Sequence, residues 1–221
     1  MSDPHAEVLG AIQRDLVALY DLEDSPAVAP FLCEAADVAA AGGDPSRGEV
    51  LLVHDDGEHV DVGLYVAPAA LELLATAGDL LAPGRFDAWC LAAEGVSHFC
   101  YLSFRHTGGD SVTQLELEIQ AEVDKYAAAL LAGGPELLAG YGVGLFLARS
   151  RDLRRRLFVE QELLDAPGSA EHDRYLHATS VAAEYTGGLE RTFVRRGDRE
   201  GLVRELRRYY RAGRTAKLGR R

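Results

Sequence analysis

Lysine is almost missing from this 221-residue chain: only Lys125 and Lys217 stand among its 23 basic residues. An arginine and alanine bias of this kind is what a GC-rich genome imposes, so a high arginine count does not by itself point to nucleic-acid recognition. The overall net charge of −12 points away from it. Cysteine is scarce as well. Cys33, Cys90 and Cys100 are odd in number, widely spaced and set among apolar neighbours, which excludes a disulfide framework or a CxxC metal signature. They read as buried, reduced thiols of a cytosolic protein. No apolar core follows a basic N-terminal stretch, so no signal peptide is expected. The nearest approach to a membrane span, Tyr126 to Ala148, carries Glu136 and is broken by Gly133, Gly134 and Pro135. Also missing are GxxxxGK[ST], GxGxxG after a strand, GxSxG and HExxH, which removes support for P-loop, Rossmann, α/β-hydrolase and zincin assignments.

What is present is an uneven division of charge. Residues 1–150 hold 24 Asp and Glu against 6 Lys and Arg, a net −18, whereas residues 151–221 hold 11 against 17, a net +6. The last 31 residues are the most basic, with 12 Arg and Lys against Asp198, Glu200 and Glu205. Such polarity calls for an oppositely charged partner, which the chain itself, a second copy, nucleic acid or an anionic membrane would each satisfy. A hydrophobic content of 48% supports a sizeable core. The expected organisation is one globular domain over residues 1–190, followed by a basic C-terminal helix and mobile tail over 191–221.

The apolar spacing of Val8, Ile12, Leu16 and Tyr20 predicts a first helix, and Ser25-Pro26 predicts the start of a second through Val28, Phe31, Ala35 and Val38. From Glu49 the period shortens to two, and the stretch His54 to His59 between apolar runs predicts a β-hairpin ending at Val66. That loop resembles a cation-binding turn in composition but lacks EF-hand ligand spacing, so it reads as a polar turn. A short helix from Pro68 and a third strand over Arg85 to Ala92 are expected next. Glu94 to Phe104 suits a helix by its spacing, although its aromatic content would suit a fourth strand after a Glu94-Gly95 turn almost as well, and Ser111 with Gln114 suggests a capping box for a five-turn helix through Leu115, Ile119, Val123 and Leu130. Further helices are expected from Pro135, Ser150, Ser169 and Asp198. The sum is an α+β protein, mostly helical, with a small antiparallel sheet in its N-terminal third.

Three groups of residues could carry chemistry. Glu94 and His98 are one turn apart, as are Glu118 and Glu122; if the two helices meet, the carboxylates and imidazole form the ligand set of a divalent metal and the acid/base groups of a hydrolase. His177 and Glu184, seven apart, offer a sparser metal pair, with His172 out of phase. In the C-terminal helix, Arg204, Arg207, Arg208 and Arg211 could follow a phosphate backbone while Tyr209 and Tyr210 stack on bases. Against that, Leu202, Leu206 and Tyr209 make an apolar stripe, and the acidic body is a strong competing partner. The balance favours a soluble, cytoplasmic adaptor or regulatory protein, and leans away from an enzyme, that binds protein surfaces or itself as a homo-oligomer through its basic C-terminal docking helix, with no membrane partner. A metal-dependent hydrolase and a nucleic-acid binder are the alternatives.

Overall fold

The computed structural model describes residues 3–57, 59–132, 142–161 and 166–218. Their order is α1 (Pro4–Tyr20), α2 (Ala35–Ala40), β1 (Glu49–Asp55), β2 (Val60–Val66), α3 (Pro68–Ala75), α4 (Arg85–Thr107), α5 (Gln114–Leu131), α6 (Val143–Phe158), α7 (Ala170–Thr192), α8 (Arg199–Tyr210) and α9 (Arg214–Leu218). The fold is mostly helical α+β, with one two-stranded antiparallel sheet near the N-terminus. No helix among the described residues is long and apolar enough to cross a membrane. The chain divides into two compact units, one of residues 1–17 and 23–111, the other of 18–22 and 112–221. The basic C-terminal segment belongs to the second unit.

In the first unit, Leu9, Ile12 and Leu16 of α1 are buried, as the helical spacing requires. The helix expected from Ser25 does not form. Pro30, four residues after Pro26, has no N–H to donate to the Pro26 carbonyl and its ring would clash there. Gln13 takes over those groups: its Nε2 donates to the Pro26 carbonyl at 2.7 Å and its Oε1 accepts from the Val28 N–H at 2.9 Å. A single 3-10 turn follows at Ala29–Phe31, Leu32 is extended, and the Cys33 N–H donates to the Leu64 carbonyl before α2 begins. The hairpin pairs Glu49 with Val66 and Asp55 with Val60. At its turn Asp55 and Asp56 accept the N–H groups of Gly57 and His59, and Gly57 takes φ +87°, so those carboxylates hold the loop.

The strand expected over Arg85 to Ala92 is instead the start of α4. Phe86, Trp89, Ala92, Ala93 and Val96 are buried at intervals of three and four, a continuous helical stripe that runs on into the segment read as helix from Glu94. Arg85 ties this N-terminus to the end of α3 through the carbonyls of Leu73, Leu74 and Thr76.

In the second unit α5 is capped by Thr113, whose side chain accepts from the Glu116 N–H while Glu116 reaches back to the Thr113 N–H. This Thr-x-x-Glu box lies two residues beyond the Ser111/Gln114 pair named from sequence. Ser150 lies inside α6 and does not cap a helix; Leu164 of that expected helix, and most of the one expected from Pro135, lie outside the described residues. Ser169 and Asp198 cap α7 and α8 as expected. Residues 214–218, read as part of a mobile tail, form α9, in which Lys217 is buried.

Candidate functional site

The polar cluster of the first unit is built on α4. Helical geometry puts Glu94 and His98 on one face, and a Glu94 carboxylate oxygen lies within 4.8 Å of a His98 ring nitrogen. His98 is only 5% exposed, whereas Glu94 is half-buried and keeps access to water. A residue that sequence reasoning passed over completes the group: Glu49, at the start of β1, places Oε1 3.5 Å from His98 Nδ1. Gly95 permits this approach. A Cβ there would sit 2.8 Å from Leu64 Cδ1 and 3.0 Å from Glu49 Cγ, so the strand comes this close only because α4 has no side chain at that point.

Glu118 and Glu122, the other half of the metal set named from sequence, belong to α5 in the second unit. There Glu122 is paired with Lys125 at 2.7 Å, and Glu118 lies 3.8 Å from Arg174 Nε. Both carboxylates are buried, not on a solvated face.

A second polar assembly fills the interior of this unit. Asp124 Oδ1 accepts from the Tyr20 hydroxyl at 2.5 Å and from Gln120 Nε2 at 2.6 Å. The carbonyl end of the same Gln120 accepts from Lys217 Nζ at 2.6 Å, so one amide links a buried ammonium to a buried carboxylate. Burial first, then the Asp124 charge, push the Tyr20 hydroxyl well above the usual phenol range. Nearby, Tyr126 and Ser150 share a 2.8 Å hydrogen bond, and the Ser150 hydroxyl donates to Glu190.

The C-terminal helix is occupied by its own unit. Leu202, Leu206, Tyr209 and Tyr210 are buried, and full burial of a leucine contributes roughly 1.5–3 kcal/mol. A helix so held is no detachable arm. The Tyr210 ring stacks on Tyr20 at 4.1 Å and the Tyr209 ring on Tyr185 at 3.8 Å, so the two rings named for base stacking are spent internally. Arg207 donates to the carbonyls of Ala18 and Leu19, Arg211 to that of Asp21, and Arg208 grips Glu205 with two hydrogen bonds. Arg204 faces solvent beside Glu200.

His177 and Glu184 both line a cleft of about 570 Å³ between α7 and the C-terminal helices, together with Glu205, Tyr209 and Lys217. Among the described residues no third His, Cys, Asp or Glu joins that pair closely enough to complete a metal site. His172 serves the N-terminus of α7, where its N–H donates to Ser169 Oγ.

No known protein family, curated protein or solved structure matches this chain.

Proposed function

We propose that the protein is a cytoplasmic, protein-binding adaptor whose docking element is the acidic first unit, and that its partner surface is basic. The observation that carries this is how charge divides between the units. The first holds 18 acidic against 4 basic residues, a net −14, while the second holds 17 against 19, a net +2. Of the four first-unit cations, Arg85 is committed to backbone carbonyls and Arg105 to Asp110. A unit carrying that excess repels itself, and a basic partner relieves the repulsion and speeds encounter. Because most arginines of α8 are engaged within their own unit, the helix stands as an internal clasp and the acidic unit becomes the interaction element.

The exposed cations nearest at hand are on the second unit of another copy, where the side chains of Arg151 and Arg204 are 60% and 70% exposed. The reading therefore includes homo-association. Light-scattering mass at about 50 mM and 500 mM salt tests it, since exposed charges are screened over about 10 Å at 0.1 M and far less distance at 1 M. A dimer or larger species at low salt that dissociates at high salt, and that is lost in Arg151→Glu/Arg204→Glu, supports the proposal. A monomer at both salts overturns the homo-association it names.

A further inference from the structure

The geometry points to a divalent transition-metal site on α4 of the first unit, with Glu94 and His98 as ligands and Glu49 as the carboxylate that orients the imidazole. This is separate from the docking proposal. Three observations meet here. Glu94 and His98 are one helical turn apart with ligand atoms already within 4.8 Å, and metal–ligand bonds of about 2.0–2.2 Å need ligand atoms roughly 3–3.5 Å apart, a gap that side-chain rotation closes. The imidazole is fixed from behind: Glu49 Oε1 faces Nδ1 at 3.5 Å, which favours the tautomer with its proton on Nδ1 and its lone pair on Nε2. A carboxylate on one ring nitrogen, with the other nitrogen as the ligand, is the usual outer-shell arrangement of a metal-bound histidine. Finally, the side chains of Glu49 and His98 are only 8% and 7% exposed, and two carboxylates around one buried ring gather negative charge that a divalent cation neutralises.

One carboxylate oxygen and one imidazole nitrogen suit Zn(II), Mn(II), Fe(II) or Co(II) in preference to Ca(II) or Mg(II), which take all-oxygen sets. The half-buried Glu94 leaves the remaining coordination positions open to water, and a bound ion there would acidify that water, the first requirement of a hydrolytic site.

The test uses the full chain, purified without a metal-affinity tag, stripped with chelator and titrated separately with Zn(II) and Co(II), following heat and the visible Co(II) spectrum. One ion per chain is expected, with ligand-field bands in the Co(II) form. Glu94→Gln and His98→Ala should abolish saturable uptake, and Glu49→Gln, which keeps the shape but accepts the imidazole proton less well, should weaken it by about 10–100-fold and shift the Co(II) bands. Glu94 is partly exposed, so its variant reports on binding even where His98→Ala fails to fold. No uptake by the wild type, or uptake unchanged in Glu94→Gln, overturns the site; uptake and spectrum unchanged in Glu49→Gln overturns the orienting role.

Discussion

Replacing Asp124 by Ala and by Asn separates the worth of its hydrogen bonds from the worth of its charge. The carboxylate is 1% exposed, and both donors, the Tyr20 hydroxyl and the Gln120 amide, meet the same oxygen, Oδ1. A hydrogen bond to a charged group contributes about 1.5–3 kcal/mol, so two of them are worth roughly 3–6 kcal/mol, from which the desolvation of a buried anion must be subtracted. Asp124→Ala strands both donors and should therefore cost about 3 kcal/mol or more. Asp124→Asn keeps an acceptor oxygen where both bonds land and loses only their charge assistance, for a cost of about 1 kcal/mol. With urea slopes of about 1–3 kcal/mol per molar, the alanine variant shifts the unfolding midpoint measured by far-UV circular dichroism by at least 1 M, several times the shift in the asparagine variant. The cycle with Tyr20→Phe should be non-additive, because the second substitution removes a donor the first has already orphaned. Equal costs for Ala and Asn would refute the reasoning, since they would mean that the hydrogen bonds contribute nothing beyond the charge.

Burial, opposed by the Ser150 hydrogen bond, holds the Tyr126 hydroxyl up at about 12. A raised folded value contributes stability that is fully present below pH 10 and lost between 10 and about 12, roughly 2–3 kcal/mol in all, so Tyr126→Phe should flatten the fall in urea midpoint between pH 9 and 12. Gly95→Ala gains about 1 kcal/mol of helix propensity but drives a Cβ against the fully buried Leu64, an overpacking cost of about 1–3 kcal/mol. Net destabilisation of about 1 kcal/mol is expected, and a stabilised variant would show that β1 retreats freely. Lys217→Met removes the bond to Gln120 and the contact with the Tyr209 ring, and should raise amide hydrogen exchange across 214–218 by at least tenfold while leaving α7 unchanged.

The elements readable from the sequence were those specified by near neighbours. The hairpin announced itself through period two and its Asp-Asp-Gly turn, and α7 and α8 through their Ser169 and Asp198 caps. Where two local patterns competed, the longer one won: Arg85 to Ala92 suits either period alone, but joined to Glu94–Phe104 it makes one stripe within a helix of 23 residues. Thr113-x-x-Glu116 was a readable signal, a closer match to the capping box than Ser111/Gln114. Other pairings left no local trace. Tyr20 meets Asp124 across 104 residues and Lys217 meets Gln120 across 97, and no spacing rule reaches so far. Glu49 was hidden differently. It reads as the first residue of a strand, and only Gly95, whose lack of a side chain admits it, connects it to His98.

Charge is the instructive case, because the same residues give different accounts along the chain and in the fold. Counted by position, the basic end calls for the acidic body of residues 1–150 as its partner. Counted by unit, it belongs to a nearly neutral assembly, where Arg207 and Arg211 are used on the carbonyls of Ala18, Leu19 and Asp21 and Arg195 approaches the buried Glu190. Those arginines meet the carbonyls at the C-terminal end of α1, where the helix leaves its last acceptors without intrahelical donors, and the buried Glu190, so they serve contacts within their own unit. The excess left over is negative and lies wholly in the first unit, and it is there that the proposed partner or cation would supply the opposite sign.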